Sequence, residues 1–415
     1  MCKCQRQGQK SRAPRVLSVG QASNSATGGS FYLDRPASAT TTESLAGGWT
    51  AELVAGSQQI VVHGPKGIGI YSDAMHGGLA AANQALDLVA MRGGPMFVLV
   101  GTDSRHIVWW TEPRGTVVRI TCISDLGVSV TARATVHDAT GNIKPEPAAP
   151  ALDWHHSFRY FRLSQVTSDL FDAYRNMYLA LEAVLSTVVP KKEQEGEGKW
   201  LERALNEIGK TLDLGRYAPA TSENPLKDIY KELYAGTRNG LFHAKLERPI
   251  LLPHAADNRT CVIQRLQRLS HLYLDLVECH LHLRKPGGGM TYHAFDKGMA
   301  AFNPEVVVSD DWAPEDPSDA VVNPNGGATA ALPTRQQSEL SKPGFKAWLG
   351  EDQGRRVETA VSPVRRVVLT DANNGKPLVL NRLLEPLSLE GVDVLQVLFG
   401  VWLVNRGQPR FRFDT

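Results

Sequence analysis

The sequence predicts a multidomain α+β protein: an N-terminal α+β module, a central four-helix bundle and a small β-rich C-terminal segment. Three observations predict it. The chain has 415 residues, well beyond a single domain of about 150. Large apolar residues recur at three- and four-residue steps only in the middle of the chain. Short apolar runs punctuated by glycine and asparagine flank that stretch on both sides.

Residues 1–44 are rich in Ser, Gly, Thr and Ala and poor in large apolar side chains, which predicts a flexible tail. Within 45–150, Gln59-Ile-Val-Val-His63 and Phe97-Val-Leu-Val100 predict strands, with a helix over 80–91 between them. Residues 128–136 alternate apolar and polar side chains, the pattern of a half-buried strand. The segment Gly64-Pro-Lys-Gly-Ile-Gly-Ile-Tyr71 has neither a GxGxxG pattern nor a GK[ST] ending, so it predicts a strand–turn–strand connection before a phosphate loop. Trp109 and Trp110, with Arg114 and Arg119, read first as a packed strand and second as a base-stacking surface. The proline-rich stretch 145–150 closes the module.

Residues 154–285 carry the bundle. Phe158, Phe161, Leu170, Tyr174, Met177, Leu181 and Val188 place one long amphipathic helix before Pro190. A charged, glycine-broken loop follows, then a short helix over 200–208. A third helix is expected from Pro225, a favoured first-turn residue, to about Lys245, and a fourth over 260–283. Residues 286–360 read as linker, most plainly the Pro/Asp/Ser/Asn-rich stretch 303–343. In 361–415, Asn373-Asn374-Gly375 sits between two apolar runs and predicts a β-hairpin; 392–403 suits helix or strand equally.

Bulk charge excludes little but narrows the search. Lys+Arg 45 against Asp+Glu 43 gives a net charge of +2, too balanced to mark a nucleic-acid binder, so any charged surface is local. The five cysteines, Cys2, Cys4, Cys122, Cys261 and Cys279, form no CxxC pair, which argues against a disulfide framework and a zinc module. His155-His156 and Cys279-His280-Leu281-His282 lack a partner pair at zinc spacing, so neither a metal nor a cofactor is expected. No apolar run reaches the ~20 residues of a membrane span, and no signal-peptide core follows the basic N-terminus. A cytoplasmic protein is the expectation.

The stretch with chemistry in it is Leu233-Tyr-Ala-Gly-Thr-Arg-Asn-Gly-Leu-Phe-His-Ala-Lys245, where Arg238-Asn239 precedes His243. Histidine titrates near neutrality and serves as proton donor or acceptor. Arginine stays charged and presents a fork of donors to phosphate oxygens. Asn239 and His243, four apart, share a helix face where the amide can orient the imidazole or a phosphate. Arg238 lies about 140° from His243 on an ideal helix, so one regular helix does not set them side by side. Leu233, Thr237 and Leu241 fall on a core-facing stripe.

These residues resemble the Arg-x4–6-His motif of HEPN domains, and the resemblance covers roughly residues 154–285. Phe158–Gln165 and Phe171–Glu182 are also similar to little-characterised bacterial HEPN-type proteins, some labelled methylamine-utilisation accessory proteins. The resemblance implies a metal-independent endoribonuclease acting as a homodimer, with Arg238, Asn239 and His243 in the dimer cleft. It also allows a non-catalytic interaction module that binds a nucleotide, an RNA or a partner protein encoded nearby. Lys245, Arg175, Asp172 and Glu182 are further candidates: Lys245 for phosphate, Arg175 and Asp172 as cleft or solvated helix-face residues, Glu182 as a site acid among apolar neighbours. The expected bundle carries 19 basic and 16 acidic residues, a modest excess compatible with RNA.

Overall fold

The structure, a computed structural model, describes residues 16–19, 25–128, 135, 137–143, 153–167, 169–242, 251, 256–283, 289–313 and 322–405. The first elements in chain order are β1 (Thr27–Leu33), β2 (Thr41–Ser44), β3 (Thr50–Leu53), β4 (Gln59–Gly64), α1 (Tyr71–Met91), β5 (Leu99–Val100), β6 (Arg105–Glu112) and β7 (Gly115–Val128). Helices follow: α2 (His156–Val166), α3 (Leu170–Val188), α4 (Glu197–Ile208), α5 (Pro225–Ile229), a π-helix (Tyr230–Arg238), α6 (Asn239–Phe242), α7 (Ala256–Leu281) and α8 (Tyr292–Ala301). The last group is β8 (Pro304–Ser309), β9 (Thr329–Leu332), β10 (Thr334–Gln336), β11 (Phe345–Gln353), α9 (Gly354–Ala360), β12 (Val364–Asp371), β13 (Lys376–Leu387) and β14 (Val394–Asn405).

The chain divides into two compact units. One comprises Met1–Ser124 and Asp296–Trp402, the other Asp125–Phe295 and Leu403–Thr415. The first is built on a ten-stranded sheet in the order β10-β11-β14-β7-β6-β1-β4-β3-β2, with β5 also paired to β1. A second sheet, β13-β12-β8-β9, packs on one face of it. Asn381 on β13 donates to the Cys122 sulfur on β7 at 2.8 Å, and Ser57 beside β4 donates to Glu385 on β13. Gly350 on β11 has no room for a side chain, because Val306 of β8 and Leu332 of β9 press on it. Helix α1 covers the other face, packing Leu79, Ala82, Leu86 and Val89 against Phe31, Ile60, Val62 and Trp110.

This corrects the fold class read from the sequence. The fold is mixed α/β with a ten-stranded sheet, not an α+β module, a four-helix bundle and a β-rich tail in series. The two terminal regions are one sheet, joined where β7 meets β14. The supposed tail contains β1, all seven residues of it buried between β4 and β6. Its Thr-Gly-Gly-Ser sequence looks unstructured because small residues are what the position needs. A side chain at Gly28 would collide with the Trp109 ring and the Val62 carbonyl. The supposed linker 286–360 holds α8, β8, β9, β10, β11 and α9.

Local differences have local causes. Helix α1 begins at Tyr71, nine residues before the expected start, so the glycine-rich segment joins a strand to a helix. Gly77 and Gly78 argue against helix by propensity. In the fold, however, Gly77 passes the Trp49 ring so closely that a side chain would clash with it, and Gly78 lies at van der Waals distance from Phe31 and Val62. Trp109 and Trp110 are buried in the core, so neither is a base-stacking surface. The hairpin β12–β13 is present, and the ambiguous C-terminal run is strand β14. The alternating stretch 128–136 lies almost wholly outside the described residues.

The second unit is helical, but a four-helix bundle is not what forms. The expected first helix is two, α2 and α3, broken at 167–169 where Asp169 caps α3 by accepting from the Asp172 amide. The expected third helix is three pieces, α5, the π-helix and α6. One core unites the pieces: Tyr174, Met177, Leu181 and Val184 of α3 meet Trp200 and Leu205 of α4 and Leu266, Leu269 and Tyr273 of α7. Leu233, Thr237 and Leu241 are buried, the stripe expected from their spacing. Among the described residues no helix is long and apolar enough to cross a membrane.

Candidate functional site

The arginine of the motif sits at the end of the π-helix. Asn224 starts this region by accepting from the Lys227 amide, with Pro225 in the first turn of α5. From Tyr230 the turns widen to i→i+5 bonding, a local departure that recurs at functional sites. The motif segment is therefore not the regular helix on which the 140° offset was reckoned. Arg238 is half-buried, its guanidinium 5.4 Å from the Tyr234 ring centroid, and it donates to Asn239 Oδ1 at 3.2 Å. Asn239 thus orients the arginine. His243 and Lys245, the two remaining candidates of the motif segment, lie outside the described residues.

The other sequence candidates fall on α3. Arg175 forms an exposed ion pair with Asp172 at 2.9 Å and also donates to the Leu241 carbonyl at 2.8 Å, tying α3 to the end of α6. Asp172 is on the helix exterior, committed to that pair and to the first turn. Glu182, two turns on from Arg175, is the candidate the structure brings to the arginine. It lines a cleft of about 380 Å³ with Tyr160, Ser186, Lys191, Glu197 and Trp200.

Glu197 enters that cleft from the first turn of α4, a position built by several side chains. Trp200 donates its indole N–H to the Val189 carbonyl at 2.8 Å, pinning α4 beneath the end of α3. Arg203 grips Glu195 with two hydrogen bonds of 2.8 and 2.6 Å and the Pro190 carbonyl with a third, which closes the loop between the helices. The loop in turn sets Lys191 in an ion pair with Glu197. Gly198 has no space for a side chain because the Tyr230 hydroxyl and Tyr234 ring press on it. The aromatic pair that supports Arg238 therefore also abuts the turn that carries Glu197.

The electrostatics follow from this placement. Burial raises the Glu182 carboxyl above its usual range, and Glu197 adds to that by like charge and by a side-chain hydrogen bond; Arg238 and Lys191 act in the opposite sense. Burial likewise raises the Tyr178 hydroxyl, with Glu182 reinforcing and Arg238 opposing, so this phenol stays protonated beside the pair. The arrangement sets a half-buried guanidinium near a carboxyl whose proton affinity burial raises above the usual carboxylate range.

Sequence reasoning found Arg238, Asn239 and Glu182 but missed Glu197 and Lys191. Both lie in a charged, glycine-broken run that reads as a solvated loop, and only the Arg203–Glu195 closure turns it inward. On the far side of the π-helix a second cleft is lined by Thr221, Asp228, Lys231, Glu232, Gly236 and Arg265. Three of its charged residues are bonded to neighbouring groups: Glu232 pairs with Arg268, Asp228 accepts from Ser222, and Arg265 donates to Thr237. Among the described residues no group of three His, Cys, Asp or Glu side chains stands where it could hold a metal. His155 instead caps α2 and bonds Thr187.

No family model, no curated protein and no solved structure matches the chain. The fold and the site define a two-unit mixed α/β protein whose helical unit carries a cleft lined by Glu182, Glu197 and Lys191.

Proposed function

We propose that the helical unit cleaves RNA without a metal ion, using Arg238 to hold the scissile phosphate and His243 to move a proton. The motif resembles that of HEPN endoribonucleases, and one observation carries the reading. Arg238 is held by Asn239 and Tyr234 near Glu182, a carboxyl whose proton affinity burial raises, and this supports a reading in which a cation and a proton-bearing group act together. In-line attack by the 2′-hydroxyl requires these two functions. Two copies of the chain would bring a second motif to the cleft, so we take the active species to be a homodimer acting in the cytoplasm.

The test is incubation of the full chain with unstructured RNA in EDTA, followed by analysis of the ends. Cyclic-phosphate ends that vanish with Arg238→Ala and His243→Ala, at unchanged melting temperature, are expected; each change should cost roughly 10²–10⁴-fold. RNA left intact by the wild type but retained on a binding assay would establish the second reading, an RNA-binding module without cleavage. The Arg238 anion site alone would support that reading.

A further inference from the structure

The outward face of α2 carries two exposed arginines that, among the described residues, meet no carboxylate. We propose that this face, with Trp154 at its start, binds single-stranded RNA: the tryptophan stacks on a base while Arg159 and Arg162 hold phosphates. This rests on the RNA reading above and names the surface that receives the strand.

The sequence of α2 sets its two faces apart. Ser157, Phe161 and Ser164, at four- and three-residue steps, turn inward. Both serines are buried, and Phe161 stacks on Tyr273 of α7 with ring centroids 5.3 Å apart. Tyr273 also donates to Ser157 Oγ at 3.1 Å, which fixes the roll of the helix about its axis. His156, Arg159 and Arg162 therefore recur every third residue on the opposite side, and all three are exposed. They span about 9 Å along the axis, enough to meet more than one nucleotide of a strand. The run Trp154–Val166 contains no Asp or Glu; the exposed Asp153 just before it is the nearest acid in the chain.

Trp154 adds a stacking platform. Its side chain is 67% exposed, a placement that burial of apolar area disfavours. The ring is nevertheless held: it meets His156 in an edge-to-face contact with centroids 4.8 Å apart. His155, between them, is clamped by Ser157 Oγ at 2.8 Å and by Thr187 Oγ1 of α3 at 2.9 Å. Such a contact leaves at least one indole face open to a base. Cations combined with an aromatic ring are what single strands bind, and the guanidinium fork matches phosphate oxygens. An anionic membrane would need several apolar side chains along this face, whereas His and Arg occupy it and only Val166 stands at its far end. The same helix lends Tyr160 to the cleft of Glu182 and Glu197, so the binding face and the cleft share one short element.

The experiment measures fluorescence anisotropy of a labelled 2′-O-methyl oligouridine, a single strand that 2′-hydroxyl attack cannot cleave, against the full chain at several salt concentrations. The double change Arg159→Ala, Arg162→Ala should weaken binding roughly tenfold or more. It should also lower the slope of log K against log salt by about 1.4, because each single-strand phosphate contact contributes about 0.7. Trp154→Ala should weaken binding roughly tenfold with the slope unchanged, the signature of a lost stack. Melting temperatures should stay at the wild-type value, since all three side chains are exposed. Wild-type affinity and slope in every variant overturns the proposal, as does a duplex of the same length bound as tightly as the single strand. Phosphatidylserine vesicles bound by the wild type and released by these changes, with RNA binding unaltered, would make the face a membrane surface instead. Incubation with cleavable RNA separates this proposal from the cleavage reading. A wild type that cuts RNA, with variants that bind as it does, removes the surface and leaves cleavage standing. A wild type that binds through α2 and cuts nothing keeps the surface and retires cleavage. No RNA binding by the wild type overturns both.

Discussion

Each unit lays an arginine against aromatic rings, and the two do different things with it. In the sheet unit, Arg119 lies 4.2 Å from the Tyr71 ring centroid and 5.3 Å from that of Trp110. Its Nε–H goes to Gln396, Gln396 donates to Glu351, and Glu351 accepts from Arg114. Tyr71 donates to His106 Nε2 at 2.8 Å, and the other ring nitrogen, Nδ1, meets the Thr102 carbonyl at 2.8 Å and so carries the hydrogen. Each of these hydrogen bonds ends on another group of the same unit, and burial lowers the proton affinity of both Arg119 and His106. In the helical unit Arg238 instead acts on the buried carboxyl of Glu182, which with Glu197 lines an open cleft. The same cation–π contact thus serves packing in one place and a site in the other. What distinguishes them is whether the neighbouring titratable groups are closed into a chain or face a space a ligand can enter.

The comparison can be broken at its core. Trp109→Ala removes a fully buried ring packed on Gly28 and His63 and should destabilise the sheet unit by roughly 3–5 kcal/mol. Chemical denaturation followed by circular dichroism measures it, and a loss below about 1 kcal/mol would mean the site collapses around the missing ring. Leu201→Ala, buried in the helical core, should cost roughly 2–5 kcal/mol, with amide exchange quickening first in α3 and α4.

A pH experiment sharpens the contrast. Burial, the leading cause, lowers His106 from 6.5 to about 4. Between those values the unfolded chain binds a proton that the folded chain does not, so stability falls as pH falls. The contribution is fully present above 6.5 and lost progressively down to about 4, amounting to roughly 3 kcal/mol. Unfolding curves at successive pH values should show the loss, and His106→Phe should remove that part of the slope.

Smaller effects separate the two arginines. Arg119→Met should cost about 1–2 kcal/mol through the lost ring contact and the stranded Gln396 oxygen, with RNA cleavage unchanged. Asn239→Ala should cost about 0.5–1 kcal/mol in stability yet lower cleavage, because it frees the arginine to wander. Equal losses of cleavage in both variants would erase the distinction between packing and site.

Local pattern carried part of this fold and failed where partners were remote. The three- and four-residue spacing from Leu170 to Val184 located α3, because an amphipathic helix displays its buried face in its own sequence. Gln59–Gly64 and the β12–β13 hairpin were visible for the same reason, as runs whose pairing turns or alternation are local. Strand β1 was hidden. Its Gly28 is dictated by Trp109, about eighty positions away, and nothing within Thr27–Leu33 records that neighbour.

The candidate site divides along the same line. The sequence by itself determined that Leu233, Thr237 and Leu241 turn inward and that Glu182 is an acid among apolar residues; it also put Arg238 and Asn239 next to each other in the chain. Spacing within one helix fixes those relations. Only the tertiary structure decided that Glu182 and Glu197 line one cleft, that Lys191 pairs with Glu197 there, and that the segment ending in Arg238 winds as a π-helix. These depend on how α3, α4 and the π-helix pack on one another, and on a loop folded inward by Arg203. The energies involved arise between segments, so a one-dimensional pattern holds no trace of them.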